Sequence, residues 1–268
     1  MANSALQGLR VLVTRPEHQS TDICSQLQLQ GATPVCLPLL EITPVTDTDH
    51  GYPLLKQHIL DLDLFQQIIV VSPNAARFAG DLVDSYWPQL PIGITWHAIG
   101  QKTADTLAEY GITARVNPAG TDSEALLTDT SLQNIAEQRI LIMRGEGGRT
   151  LLAETLQARG ARTEYAELYR RSCPDYTSQQ INSTIYSSLD AVLITSGEAL
   201  ENFFSLLGPS QEHNSQQRGQ ILSTRLLVPS ARVAKLATEL GCTKVYIAQG
   251  ADSQAMVQAL IATIDVEE

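Results

Sequence analysis

No apolar stretch in this sequence is long enough to cross a bilayer. The longest, such as Gln67–Val71 and Asp190–Ile194, are strand-sized, far below the ~20 residues that a spanning helix needs. The opening residues, MANSALQGLR, lack the basic region and apolar run of a secretory signal, so the expected compartment is the cytoplasm. Positive charge is also scarce. Eighteen Lys and Arg against 29 Asp and Glu leave a formal charge of −11, which disfavours wholesale binding to nucleic acid or anionic lipid, since both need a positive surface to release counterions. The four cysteines, Cys24, Cys36, Cys173 and Cys242, form no CxxC pair and have no nearby His/Cys cluster, so neither structural zinc nor a disulfide framework is expected. The histidines, His18, His50, His58, His97 and His213, show no ligand spacing, and no metal is expected.

What is present is an ordinary globular composition. With 43% hydrophobic residues and no low-complexity tract, the chain can bury real cores. Its 268 residues exceed one ordinary single-core domain and suggest two domains of about 130 each. Fourteen of the eighteen basic residues are Arg, whose planar fork suits carboxylate or phosphate.

The chain repeats itself. Val11-Leu-Val-Thr-Arg-Pro-Glu17 aligns with Ile140-Leu-Ile-Met-Arg-Gly-Glu146, and Gly31-Ala32 with Gly160-Ala161, at an offset of 129 residues. A second block, Ala104, Glu109, Gly111, Thr113, Gly120, Asp122, Ser123 and Ala125, recurs 130 residues later as Ala234, Glu239, Gly241, Thr243, Gly250, Asp252, Ser253 and Ala255. Between the blocks Val71-Ser72-Pro73-Asn74 corresponds to Ile194-Thr195-Ser196-Gly197. This is a tandem duplication of one α/β unit.

Each unit opens with an apolar strand (Leu9–Thr14; Arg139–Met143), then an amphipathic helix (Glu17–Gln30; Arg149–Arg159) stopped by Gly31 or Gly160. Further strands are expected at Ile68–Val71, Ile94–Ile99, Ala191–Ile194 and Arg225–Val228, with helices running to Tyr110 and Leu240 and last helices opening at Asp122-Ser123-Glu124 and Asp252-Ser253. Strands alternating with helices imply parallel sheets covered on both faces, as in flavodoxin-like, doubly wound domains. The polar stretch Gln211–Gly219 reads as an exposed loop.

In such sheets ligands bind beyond the carboxyl ends of the strands, where helix N-termini offer free N–H groups. The residues there are Thr14-Arg15-Pro16, Ser72-Pro73-Asn74, Gly100-Gln101-Lys102-Thr103, Arg144-Gly145-Glu146, Thr195-Ser196-Gly197 and Pro229-Ser230-Ala231-Arg232. Small, hydroxylic and cationic, they suit a backbone-lined anion pocket. The plain alternatives stand beside this reading. Ser, Thr, Asn and Gly at helix starts are capping residues in any case, and Arg15 and Arg144 can pair with Glu17 and Glu146. Gly145-Glu-Gly-Gly148 meets neither the dinucleotide nor the P-loop pattern, and neither GxSxG nor HExxH occurs. Glu41 and Asp47 have no evident partner for paired-carboxylate catalysis. Residue patterns alone end at a two-domain α/β protein with a basic cleft.

Taken together, VLVTRPE, LPLLEITP, VVSPNA, AIGQKTADTLAEYG, ILIMRGEGGR, ELYRR, ITSGEAL and the terminal VPSARVAKLATELGCTKVYIAQGADSQAMVQAL resemble the uroporphyrinogen-III synthase family over residues 9 to 262. The resemblance implies domains that cut across the repeats: residues 1–38 with 174–268 in one, 39–173 in the other, joined by a two-stranded antiparallel hinge of Leu39–Thr43 and Glu167–Ser172. Pro44 and Pro174 close those segments, as proline ends strands.

The activity implied is cyclisation of hydroxymethylbilane, a linear tetrapyrrole, with loss of water and inversion of its last ring through a spiro-pyrrolenine. It implies no cofactor and at most transient contact with the preceding pathway enzyme, while an acidic surface without apolar repeats favours a monomer. Because the free bilane closes unaided to the uninverted ring, the task is chiefly geometric. Tyr169 matches the family's hinge tyrosine and becomes the candidate donor to the departing hydroxyl, since a phenol keeps its proton at neutral pH; packing of the hinge is the alternative role. Thr103 matches a family threonine facing the cleft, and its repeat counterpart is Val233. Substrate contacts carried over are Arg15, Ser72, Asn74, Gly100, Lys102, Thr103, Arg144, Gly145, Thr195, Ser196, Gly197, Ser230 and Ala231, with Arg77, Arg149 and Arg232 as further partners for the eight substrate carboxylates. The chain departs from the family pattern at LYRR, where a small or hydroxylic residue more usually follows the tyrosine, and at Pro73-Asn74, where members vary. A two-lobed, non-catalytic binder of a small anion is the competing reading, and a receiver-like module a third, lacking a visible acidic pocket.

Overall fold

The computed structural model describes residues 5–120, 122–148, 150–208 and 215–264. In chain order the elements are β1 (Arg10–Val13), α1 (Glu17–Leu29), β2 (Thr33–Cys36), β3 (Glu41–Pro44), α2 (Tyr52–Leu60), β4 (Gln67–Val70), α3 (Pro73–Tyr86), β5 (Thr95–Ala98), α4 (Gln101–Ala108), β6 (Ala114–Val116) and α5 (Ser123–Leu126). The second repeat continues with β7 (Arg139–Gly145), α6 (Leu151–Ala158), β8 (Arg162–Ser172), α7 (Ser178–Thr184), β9 (Ala191–Leu193), α8 (Gly197–Leu206), α9 (Ser215–Leu222), β10 (Arg225–Val228), α10 (Ala231–Glu239), β11 (Val245–Ile247) and α11 (Ser253–Ile264).

Two compact units result. Unit 1 comprises Met1–Glu41 and Ser172–Glu268, and unit 2 comprises Ile42–Arg171. The sheet of unit 1 has the order β2-β1-β9-β10-β11 and that of unit 2 the order β3-β8-β7-β4-β5-β6. Beginning each from its own first strand–helix–strand piece, both follow the doubly wound flavodoxin-like order, with parallel pairing. The repeats have exchanged those pieces. β1 and β2 pair with β9–β11 of the second repeat, while β7 and β8 pair with β4–β6 of the first. β3 is hydrogen-bonded beside β8, and Val45 N–H donates to the Leu168 carbonyl at 2.9 Å.

Alternate strand residues feed separate cores, as the pleat requires when both faces are covered. In unit 1 Leu12, Val192, Ile194, Leu226 and Val228 pack on one face with Leu200 and Phe203 of α8. Val11, Val13, Leu193 and Leu227 pack on the other with Ile23 and Leu27 of α1 and Met256 and Leu260 of α11. Unit 2 does the same: Ile68, Val70, Leu141 and Met143 face α3, while Ile69, Ile140 and Ile142 face Leu152 and Leu156 of α6.

Three details differ from the expectations above. Ser215–Leu222 is helix α9, so residues 215–219 of the polar stretch are helical, and its residues 211–214 lie outside the described residues. The first repeat's last helix, α5, is a single turn followed by a 3₁₀ turn at Thr130–Leu132, whereas α11 runs through twelve residues. The helix expected at Arg149–Arg159 begins at Leu151, and Arg149 lies outside the described residues.

Phe203 is 1% exposed, and Phe203→Ala should destabilise unit 1 by about 3–5 kcal/mol through the cavity it leaves. Both tryptophans, Trp87 and Trp96, lie in unit 2. In urea the variant should therefore show an early far-UV circular dichroism transition that tryptophan emission does not follow; coincident transitions would mean the units unfold as one.

Candidate functional site

In a doubly wound sheet the helices that follow two neighbouring strands leave on opposite faces at one point, and the gap between them is the usual ligand site. In unit 2 that point lies between β7 and β4, in unit 1 between β1 and β9. Arg144-Gly145 and Ser72 therefore flank one gap, Arg15 and Thr195-Ser196-Gly197 the other. The repeat supplies both from the same sequence positions.

The unit 2 gap opens into a cleft of about 440 Å³. Ser72, Arg144, Gly145 and Tyr169, four of the expected residues, line it. Ser72 is the N-cap of α3, with its Oγ accepting from Ala75 N–H at 3.1 Å, and the Tyr169 hydroxyl lies 3.2 Å from the same Oγ. The Tyr169 ring is only 5% exposed and packs 5.5 Å from the Phe78 ring.

A register irregularity aims this tyrosine. Arg144 pairs with Glu167, but Gly145, the next residue on β7, pairs with Tyr169, so β8 carries one extra residue, Leu168. In a regular strand of the same sequence Tyr169 would share a face with Tyr165 and Glu167. With the extra residue, Leu168 and Tyr169 both join the core beneath α3. Gly145 then has to be glycine, because a Cβ there would sit 2.6 Å from Tyr169 Cε2.

Arg144 projects from the other face. Its guanidinium stacks 5.0 Å from the Tyr165 ring centroid, and its Nε donates to the Gly145 carbonyl at 3.1 Å. The glycine loop folds around it: Gly147 and Gly148 have φ of 70° and 93°, which favours glycine at both, and a Cβ at Gly148 would displace the end of the Arg144 side chain. Gly147 N–H donates to Glu167 Oε1 at 3.2 Å, pinning the loop to β8. Tyr165, Arg171, Asp122 and Glu124 also line the cleft. Sequence reasoning missed these four. The alternation Tyr165-x-Glu167 was the one available signal for Tyr165; nothing local marks the others.

Unit 1 uses the corresponding residues differently. Thr14 is buried and donates to the Leu193 carbonyl at 2.7 Å. Arg15 reaches Ser253 Oγ at 3.4 Å and the Ala251 carbonyl, so it folds onto the start of α11. Burial lowers its pKa from the ordinary guanidinium value, opposed by the nearby Asp252 and Asp22. Ser196 caps α8 by accepting from Ala199 N–H at 3.0 Å, and Ser230 caps α10 by accepting from Val233 N–H at 3.5 Å. Arg232 lies against Gly197, where a Cβ would be 3.3 Å from its Nη1. Thr195 is half-buried and Ala231, the first residue of α10, is exposed.

The remaining expected contacts sit at the start of α3 or α4, outside the cleft lining. Asn74 lies in the first turn of α3, and Arg77 stacks 4.5 Å from the Phe78 ring. Gly100 precedes α4 with φ 82°, a conformation that the serine in the matching position of α10 would adopt only with strain. Lys102 is exposed. Thr103 does not face open space: it is 1% exposed and its hydroxyl donates to the Ile99 carbonyl at 2.7 Å, the back-bond to residue i−4 that a helical threonine makes when its side chain is turned inward. Among the described residues no cluster of three or more His, Cys, Asp or Glu side chains is placed to hold a metal ion, and no helix is long and apolar enough to cross a membrane.

Comparison with known proteins gives one consistent result. Residues 6–258 match the family described as uroporphyrinogen-III synthase HemD. Relatives include the uroporphyrinogen-III synthases of Escherichia coli, 34% identical over 94% of this chain and 100% of that protein, and of Salmonella typhimurium, 33% identical over 94% and 100%. Solved structures with the same fold include a mutant uroporphyrinogen III synthase of Thermus thermophilus (TM-score 0.60, 16% identity, 97% of this chain and 100% of that one) and the Helicobacter pylori uroporphyrinogen-III synthetase (TM-score 0.58, 15% identity, 96% and 100%).

Gly145→Ala should force the Tyr169 ring away from Ser72 and cost about 1–3 kcal/mol, the usual range for overpacking. Ser72→Ala should cost about 1 kcal/mol through the lost cap. Urea midpoints measure both, and a Gly145→Ala protein as stable as the parent would mean the ring has room to spare.

Proposed function

The chain belongs to the uroporphyrinogen-III synthase family of tetrapyrrole-synthesising enzymes, and from that premise we propose that the unit 2 cleft holds the reacting end of hydroxymethylbilane, with Tyr169 assisting departure of its hydroxyl. The observation that carries the reading is the Tyr169 hydroxyl on the cleft wall, 3.2 Å from Ser72 Oγ. Ser72 Oγ already accepts a backbone N–H, which holds it still, and a fixed partner orients the phenol.

The reaction balances within the substrate. Electrons of the first-ring pyrrole nitrogen expel the hydroxyl, which takes a proton and leaves as water, and an azafulvenium cation remains. The substituted carbon of the last ring attacks it to form the spiro-pyrrolenine, which fragments and recloses through that ring's unsubstituted α-carbon with the ring inverted, and loss of the hydrogen on that carbon restores the pyrrole and returns the proton taken by the hydroxyl. No electron is gained or lost overall, so the reading is a cofactor-independent lyase. The cleft suits both charge states in turn. Arg144 and Arg171 lie where substrate carboxylates can bind, and Asp122 and Glu124 offer negative charge to a developing cation. The enzyme is read as a cytoplasmic monomer that meets the preceding pathway enzyme only in passing, its charge of −11 keeping copies apart.

Freshly generated hydroxymethylbilane is the test substrate, with the oxidised products resolved by isomer. The inverted isomer should dominate. Tyr169→Phe should lower kcat by roughly 100-fold with KM little changed, the scale of a positioned proton donor. Full activity in that variant would remove Tyr169 from the mechanism, and a parent protein yielding only the uninverted isomer would favour a non-catalytic anion binder.

A further inference from the structure

Cys24 and Cys36 stand twelve positions apart with neither a CxxC spacing nor a shared element. The α1–β2 turn brings them together. Cys24 lies on the face of α1 that packs against the sheet, half-buried beside the core, and Cys36 ends the edge strand β2, in register with Val13. Their sulfurs are 3.4 Å apart and both are free thiols. Cys36 is exposed. The reading given to unit 2 makes no use of either residue.

We propose that Cys24 and Cys36 form a reversible intramolecular disulfide, a redox-modification site that ties α1 to the edge strand β2. The oxidant is a small-molecule disulfide of the glutathione type. Cys36, the accessible sulfur, loses its proton and attacks one sulfur of that disulfide; the S–S bond breaks, one half leaves as a thiolate and the other stays on Cys36. Cys24 then gives up its proton, attacks the Cys36 sulfur and expels the second half. Two protein thiols are oxidised, one disulfide is reduced to two small thiols, and nothing else is consumed. Burial, with the neighbouring Cys36, pushes the Cys24 thiol up to about 12, which gives Cys36 the entering role and Cys24 the resolving one. Closing the bond draws the sulfurs to about 2.05 Å. It thereby fastens the helix that begins two residues after Arg15, so the state of the pair bears on the switch point of unit 1. The inference concerns unit 1 alone and does not rest on the activity proposed above.

The test incubates the full chain with glutathione disulfide, alkylates the remaining thiols, and reads intact mass and chymotryptic peptides, since Leu27 and Leu29 separate the two cysteines. Two of the four thiols should escape alkylation without retaining glutathione, a linked peptide should join Cys24 to Cys36, and dithiothreitol should restore both. Cys24→Ser should stop at glutathione bound to Cys36, while Cys36→Ser should leave Cys24 fully alkylated. Alkylation of all four parent thiols, glutathione retained on parent Cys36, or linkage to Cys173 or Cys242 would overturn the proposal.

Discussion

Two adjacent parallel strands whose following helices leave on opposite faces cannot close the space beyond their carboxyl ends, and this gap organises both candidate sites. Unit 2 has it between β7 and β4, unit 1 between β1 and β9. Exchange of the leading strand–helix–strand pieces means that neither gap is built from one repeat. Arg144 comes from the second repeat and Ser72 from the first; Arg15 comes from the first and Ser196 from the second. A cut between the repeats would divide both sites.

Much of this was legible because parallel strands covered on both faces must be apolar throughout. Leu-Val in β1 and Leu-Ile-Met in β7 mark the sheet centres with no help from tertiary context, and the Ser-Pro and Ser-Gly starts of α3 and α8 became the side-chain caps that their composition suggested. The direction of Tyr169 was not legible. It depends on one extra residue, Leu168, facing a glycine, and no local pattern distinguishes an irregular strand from a regular one of the same composition. The inward turn of Thr103 was not legible for a related reason: at a helix start a hydroxyl can serve a ligand or the preceding turn, and here it bonds the Ile99 carbonyl. Cys24 and Cys36 looked scattered because spacing rules describe loops and ribbons, while here a helix–turn–strand passage brings the sulfurs together.

The duplication also shows how one inherited frame supports two environments. Arg15 and Arg144 occupy the same repeat position, yet Arg15 is drawn onto the backbone and hydroxyl at the start of the long helix α11, and Arg144 stacks on Tyr165 inside a glycine loop. The difference traces to the helix that ends each repeat. In unit 1, α11 runs through twelve residues and its start supplies partners for a guanidinium; in unit 2 the equivalent helix, α5, is a single turn. The same repeat position thus carries an arginine held at the start of a long helix in unit 1 and an arginine stacked on a tyrosine beside a cleft in unit 2.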